Sequence, residues 1–316
     1  MHRILITGGT GFVGRHLIRH LQCSASNLVV MASEAPSRSE ADAEYYGVDI
    51  RNEGDVRSAI RQIKPTEVYH LAAISQVDLA GANPRLTFEV NVVGTYNVLE
   101  ATMGLSSPPR VLNISTAQVY APSDAPLSES SPLGPGNPYA ASKAMAELLE
   151  ISFRKSCGGG IITARSFNHT GPGQPPTFVL PSFAKQFAEI EAGMRPPHLA
   201  VGNIEVERDF SDVRDVVRAY SELLRKGRPG QVYNVCSGTA RRLSDMVKQF
   251  QALCRTAVTI ETDPTRVRGG DISRIVGDPG KIKKETGWDA RTPVSQTLRD
   301  LLDYWRRKIK SETMAL

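Results

Sequence analysis

The sequence predicts an α/β protein: a doubly wound parallel sheet followed by a smaller α/β region. Three observations carry that expectation. Short apolar runs alternate with amphipathic helical stretches from Arg3 to Arg165. The first run passes directly into a glycine-rich turn and then a helix. From Ser166 to about Pro197 the chain becomes irregular and rich in Pro and Gly, before further helical segments resume.

Composition sets the outer bounds. At 316 residues the chain suffices for one large or two modest domains. A hydrophobic content of 41% and a charged content of 22% are those of an ordinary soluble globular protein. The net charge of +5 is spread along the chain, apart from short groups at Arg241-Arg242, Lys281 to Lys284 and Arg306 to Lys310. Such groups fit solvated helix faces better than a nucleic-acid-binding arm, and the mild excess suits a small anionic ligand. Cys23, Cys157, Cys236 and Cys254 have no paired spacing, which argues against a zinc site or a disulfide framework and for a reducing compartment. No apolar run is long enough to span a bilayer and the N-terminus enters a strand at once. The expectation is a cytoplasmic protein with no nucleic-acid or membrane partner and no metal.

Taken in order, Arg3 to Thr7 is a short buried strand. Gly8-Gly9-Thr10-Gly11-Phe12-Val13-Gly14 follows, and Val13, Leu17, Ile18 and Leu21 then recur at helical spacing. Strand, glycine turn and helix are the context a dinucleotide fingerprint requires. Gly8 permits the tight turn, Gly11 lets backbone approach a pyrophosphate, and Gly14 lets the helix pack on the strand. Phosphates would meet free N–H groups at the helix start, next to Phe12 and Val13. Leu28 to Ala32 is the second strand. An acid at its end holds the ribose hydroxyls of NAD(H), and a basic residue nearby accepts the 2′-phosphate of NADP(H). Ser33 and Arg38 favour NADP(H); Glu34 is the residue that would favour NAD(H).

Tyr46 to Asp49 is expected as a third strand, placing Asp49 and Ile50 beside an adenine. Gly54 to Lys64 is helical, Val68 to Leu71 is the fourth strand, and Ala72-Ala73-Ile74 is a turn small enough to lie against a cofactor. Asn83-Pro84 is expected to cap one long helix to Met103. Arg110 to Ile114 is the fifth strand, ending in Ser115-Thr116-Ala117-Gln118. Asn137-Pro138 starts a helix that puts Tyr139 and Lys143 on one face, four residues apart. A lysine ammonium near a phenol lowers the tyrosine pKa and makes it a usable acid and base. Ile161 to Arg165 is a further strand, Phe183 to Ala192 a helix, and Gln231 to Val235 a strand expected to rejoin the first sheet. Leu243 to Cys254 and Val294 to Lys308 are helices.

In combination, Gly8-x-x-Gly11-x-x-Gly14, Asp49, His70-Leu71-Ala72-Ala73, Asn91-x-x-Gly94-Thr95, Thr116 and Tyr139-x-x-x-Lys143 resemble the extended short-chain dehydrogenases/reductases over essentially the whole chain. That family comprises nucleotide-sugar epimerases, dehydratases and reductases. The resemblance implies a Rossmann domain over 1–165, with 231–235 rejoining it, and a nucleotide-sugar domain over 166–316. It implies a dinucleotide held by Gly8, Gly11, Phe12, Val13, Gly14, Ser33, Arg38, Asp49, Ile50, Leu71, Ala72, Ala73, Tyr139 and Lys143. The runs Arg165 to Gly173 and Gly202 to Phe210 are similar to the GDP-mannose branch. By that similarity Ser75, Asn168, Val179, Lys185, Asn203, Arg208 and Arg268 would contact the sugar nucleotide. Arg208 could instead pair with Asp212 or Asp215, and Asn168 could be a turn residue.

Dehydratases of this kind carry an acid one or two positions after the hydroxyl residue, to abstract the proton beside the 4-keto group. Here those positions are Ala117 and Gln118, neither ionisable. The resemblance therefore implies a reductase of the GDP-4-dehydro-6-deoxy-D-mannose type. In it Tyr139 delivers a proton, Thr116 bonds the carbonyl oxygen, and Lys143 holds the ribose and keeps the tyrosine acidic. A 4-epimerase retaining NAD is the main alternative, a GDP-mannose 4,6-dehydratase a lesser one, and a homodimer through the helices at 84–103 and 137–155 is expected.

Overall fold

The computed structural model describes residues 2–22, 27–33, 43–157, 160–266 and 272–314, without the side chains of 154–157. Glu34, Arg38, Cys23 and Arg268 therefore lie outside the described residues. β1 (Ile4–Thr7) is buried at every position. Ile4 and Ile6 enter one apolar cluster and Leu5 the other, the two-residue period of a strand covered on both faces. α1 (Phe12–Gln22) follows the glycine turn, and β2 (Leu28–Ala32) is buried throughout. β3 is Ala43–Gly47 instead of Tyr46 to Asp49. It is the sheet edge beyond β2 and only partly buried, so it lacks the unbroken apolar run that marks a central strand.

α2 (Glu53–Ile63) is capped by Asn52, and β4 is Glu67–His70. α3 (Val77–Ala82) and α4 (Pro84–Phe88) come next, then a π-helical turn over Glu89–Val93, then α5 (Gly94–Met103). The single long helix expected from Pro84 is thus interrupted by the π turn. Asn83 does not cap it through its side chain; its carbonyl accepts from the Thr87 N–H and hydroxyl. β5 (Arg110–Thr116) ends in a 3-10 turn, and α6 (Pro138–Cys157) and β6 (Gly160–Ser166) follow. β7 (Asn168–Thr170) orders the start of the segment expected to be irregular, and α7 (Val179–Glu191) begins four residues before the expected Phe183. Then come β8 (His198–Val201), β9 (Glu207–Asp212), α8 (Val213–Lys226), β10 (Val232–Val235), β11 (Ala240–Arg242) and α9 (Leu243–Leu253). β12 (Thr259–Thr262), β13 (Arg274–Ile275), α10 (Gly280–Thr286) and α11 (Val294–Thr313) complete the order.

The main sheet has the order β10-β6-β5-β4-β1-β2-β3, every pair parallel. The direction of winding reverses between β1 and β4, and that reversal opens a crevice beyond the strand ends. A separate apolar cluster joins α7, α9 and α11 through residues such as Phe187, Phe250 and Trp305. Among the described residues no helix is long and apolar enough to cross a membrane.

One buried polar chain ties the crevice walls together. Burial drives the His70 pKa down to about 3, with the Lys143 charge adding to it, so the ring is neutral. The Thr95 hydroxyl donates to the Asn91 carbonyl (2.7 Å) and therefore accepts from His70 Nε2 (3.0 Å). His70 Nδ1 then accepts from the Thr7 hydroxyl (2.7 Å), whose oxygen takes the Ala72 N–H (3.2 Å). On the π turn, Asn91 Oδ1 accepts the Ile74 N–H (2.8 Å). Its Nδ2 donates to the Ile74 carbonyl (3.0 Å) and to Ser142 Oγ on α6 (2.9 Å). Removing this clamp leaves several buried groups unpaired, at about 1–3 kcal/mol each. Asn91→Ala is expected to destabilise the fold by about 2–4 kcal/mol, seen as a lower urea midpoint with an unchanged slope.

Candidate active site

The glycine turn is a cradle that side chains would fill. Gly8 sits at φ 68°, and a Cβ there would lie 2.8 Å from the Ala72 backbone. A Cβ on Gly14 would lie 2.5 Å from the Gly9 carbonyl oxygen. The turn is closed by Gly8 N donating to Met31 O (2.8 Å) and Gly11 N to Gly8 O (3.0 Å). α1 starts at Phe12, so the N–H groups of its first turn have no intrahelical partner and suit a pyrophosphate. The cleft in front of it has a volume of about 700 Å³.

Of the residues expected to hold a dinucleotide, Gly8, Gly11, Phe12, Val13, Gly14, Ser33, Asp49, Ile50, Leu71, Ala72 and Ala73 line this cleft, together with Thr116, Tyr139 and Lys143. Ser75 and Asn168 line it too. Phe12 also stacks on His169, with ring centroids 6.3 Å apart and planes within 7°. The other four described substrate candidates are outside the cleft lining. Val179 begins α7 next to the lining residue Phe178. Lys185 pairs with Glu189 (3.5 Å). Asn203 Oδ1 accepts the Glu205 N–H (3.0 Å). Arg208 donates to the carbonyls of Glu207 (2.8 Å) and Ser273 (3.4 Å); Asp212 and Asp215 pair with Arg214 and Arg218 instead.

Sequence reasoning passed over Arg51. It lines the cleft and grips Asp49 through Nε and Nη2, holding that carboxyl below the usual aspartate range. A basic residue two positions after Asp49 was its only sequence signal.

At the inner end, Asn137 Oδ1 accepts the Ala140 N–H (2.9 Å), the expected cap of α6. That fixes Tyr139 and Lys143 on the face turned to the cleft. The expected acidification of Tyr139 by Lys143 is not what governs the phenol. Burial pushes its pKa up, and a hydrogen bond with Thr116 pulls against that. Thr116 Oγ1 meanwhile accepts the Gln118 N–H (3.3 Å). Thr116 and Tyr139 thus line the same end of the cleft, and the Thr116 hydroxyl favours the ionised phenol against the effect of burial. Gln118 Oε1 accepts from Asn137 Nδ2 (2.9 Å).

Lys143 is only 3% exposed, and burial brings its pKa down to about 8, with Glu150 and then Glu147 opposing the shift. Glu147 is committed to Arg165 (2.6 Å) and to the Ser115 hydroxyl (2.5 Å). Glu150 accepts from two neutral groups, Asn113 Nδ2 (2.5 Å) and the Thr163 hydroxyl.

Residues 5–301 match the family model described as GDP-mannose 4,6 dehydratase. The chain belongs to the GDP-mannose 4,6-dehydratase family. Its matched span runs from β1 into α11, so family membership covers both the cleft and the region packed beyond it. The chain is 34% identical over 313 residues to a GDP-6-deoxy-D-mannose reductase of Pseudomonas aeruginosa, covering 98% of this chain and 99% of that one. It is 30% identical to a GDP-6-deoxy-D-talose 4-dehydrogenase of Aggregatibacter actinomycetemcomitans, covering 95% and 96%. Among solved structures, RMD of Pseudomonas aeruginosa complexed with NADPH superposes with a TM-score of 0.86 at 32% identity, covering 98% and 100%. Within the GDP-mannose 4,6-dehydratase family, then, the chain shares its fold and a nicotinamide-dependent, nucleotide-sugar-modifying class of enzyme.

The buried lysine makes the site pH-sensitive in a defined direction. Its folded pKa lies near 8 against 10.5 for the free side chain, so between those values the unfolded chain binds more protons. Lys143 thus opposes folding most fully below pH 8, and the opposition fades as pH rises through that window. Glu150 raises the Lys143 pKa, so its removal lowers it. The alkaline limb of the pH–rate profile is expected near pH 8 and should move to lower pH in Glu150→Gln. A limb unmoved in that variant would refute the assignment.

Proposed function

We propose that this protein reduces the C4 ketone of a nucleotide-linked 4-keto-6-deoxy sugar, GDP-4-dehydro-6-deoxy-D-mannose to GDP-D-rhamnose, using NADPH. The observation that carries this reading is the convergence of Tyr139, Thr116 and Lys143 in one cleft with the glycine cradle, where Gln118 stands in place of an ionisable residue. A dihydronicotinamide bound in the cleft supplies the hydride. Tyr139, its pKa raised by burial, holds its proton at neutral pH and delivers it to the carbonyl oxygen. Thr116 stabilises the phenolate left behind by the hydrogen bond it donates. Lys143 supplies the nearby positive charge and a donor for the ribose. Neither Ala117 nor Gln118 can take the C5 proton that elimination of water requires.

NADPH is supported by Ser33 and Arg51, a hydroxyl and a guanidinium in the cleft wall beside Asp49. In this reading residues 1–165 with the strand at 231–235 hold the dinucleotide, and 166–316 hold the sugar nucleotide. Ser75 and Asn168 then make polar contacts in the cleft. Val179, Lys185, Asn203, Arg208 and Arg268 are assigned to the nucleotide end by the resemblance of their motifs. Cys236 and Cys254, both free, fit a reducing cytoplasmic setting.

The same reading includes a homodimer. Val93 and Tyr96 on one helical segment and Met145, Leu148 (63% exposed) and Ile151 on α6 leave apolar side chains outside the fold. Tyr96 and Phe153, 5.7 Å apart, bring the two segments side by side. A second copy would cover this apolar face. Sedimentation is expected to give twice the chain mass; a monomer at micromolar concentration would refute it.

Tyr139→Phe is expected to remove turnover of GDP-4-dehydro-6-deoxy-D-mannose by about 100-fold or more, while NADPH binding followed by fluorescence stays within about twofold. Wild-type enzyme should consume NADPH in preference to NADH in the same assay. Stoichiometric NAD retained through purification, with no net consumption of NADPH, would indicate an epimerase instead.

A further inference from the structure

The amide of Gln118 has a set direction, and the setting runs back to a backbone N–H. Ala140 N can only donate, and it donates to Asn137 Oδ1. The other end of the Asn137 amide is therefore Nδ2, and it donates to Gln118 Oε1 at 2.9 Å. Gln118 is thus engaged through its acceptor. Its Nε2, carrying two N–H bonds, is the end left over in a residue that lines the cleft beside Thr116. Among the described residues Nε2 takes no protein acceptor.

A further donor is what this part of the cleft can use. Thr116 and Tyr139 carry one O–H each, and the Thr116 oxygen already accepts the Gln118 N–H at 3.3 Å. A keto sugar presents acceptor lone pairs both at its carbonyl and at the hydroxyl on the neighbouring carbon. We propose that Gln118 Nε2 is a hydrogen-bond donor to a sugar oxygen at or beside the reacting carbonyl. Asn137 is the positioning residue that presents it. This deepens the 4-keto-sugar reading and rests on it. It also gives the position after Ala117 a role beyond that of a residue that cannot ionise. The carboxylate that an elimination needs would be acceptor-only here, and an amide turned by Asn137 is the opposite.

The test is a double-mutant cycle on GDP-4-dehydro-6-deoxy-D-mannose with NADPH. Gln118→Leu removes the donor and is expected to raise KM or lower kcat/KM roughly tenfold. Asn137→Asp keeps the helix cap, because a carboxylate still accepts the Ala140 N–H, but offers no N–H to Gln118. The glutamine amide should turn over and show the cleft its oxygen, with a loss of similar size. The double variant should be no worse than Gln118→Leu alone, since both changes act through one group. NADPH dissociation constants should stay within about twofold throughout, which a loss of helix or cleft structure would not allow. Gln118→Leu within about twofold of wild-type kcat/KM, or two losses that simply add, overturns the proposal and leaves the reductase reading standing. No turnover of the keto sugar by the wild-type enzyme overturns the reading itself, and the proposal with it.

Discussion

A lysine ammonium buried in the cleft wall is the constraint around which the other parts are arranged. Taking such a charge out of water costs several kcal/mol unless other charges and hydrogen bonds offset it. α6 supplies the offset by spacing: Lys143, Glu147 and Glu150 fall at i, i+4 and i+7 on one face. Glu147 is already neutralised by Arg165 at 2.6 Å. Glu150 accepts from the neutral Asn113 and Thr163 donors, and its charge raises the Lys143 pKa more than that of Glu147 does. The balance is incomplete, which is why the Lys143 pKa settles near 8 and not near 10.5. A lysine close to its titration point costs stability, and it is the type of compromise expected where function and folding compete.

The phenol above it is governed differently. Burial alone makes Tyr139 a weaker acid, and that is useful to a reductase, which needs the proton in place before the hydride arrives. Holding that phenol still falls to neighbours that never reach the cleft. Ser142 donates to the Tyr139 carbonyl (2.8 Å) and receives Asn91 Nδ2, so the π turn braces the helix carrying the acid. The wide π turn is what brings Asn91 to α6 and to the Ile74 backbone at once. Because His70 is neutral and every proton in the Thr7–His70–Thr95 chain has one acceptor, this brace does not loosen between pH 5 and 8.

Local features were legible in the sequence. Gly8 and Gly14 announce themselves because no side chain fits there, and Tyr139 and Lys143 because a helix puts i and i+4 together. β1 and β2 are short, almost wholly apolar runs and were found where expected, and β5 starts at the expected Arg110 and continues to Thr116. β3 was displaced because an edge strand with half-exposed residues has no such run. The π turn has no sequence signature, and the Asn83 side chain failed as a cap because its carbonyl took the role. The protonation pattern around Tyr139 was illegible for a different reason. Whether Lys143 or burial governs a phenol depends on depth and on Thr116, which arrives from β5, more than twenty positions upstream of Tyr139. Arg208 was picked out by its motif alone; that its Nη1 donates to the carbonyls of Glu207 and Ser273 depends on how β9 and β13 meet, which no motif reveals.

Gln118 shows most directly how a proton inventory can decide chemistry. Its side chain and that of a glutamate have nearly the same shape, and both could accept from Asn137 Nδ2. A glutamate so held would keep its second oxygen, a basic lone pair, facing the sugar, and could remove a proton from carbon. The glutamine presents N–H bonds instead, and these can only hold an oxygen in place. The Asn137 cap therefore does two jobs with one amide: it starts the helix that carries Tyr139 and Lys143, and it orients the neighbouring side chain that excludes elimination. On this reading a scaffold shared with dehydratases is turned toward reduction by putting an amide that can only hold an oxygen in place where elimination needs a carboxylate.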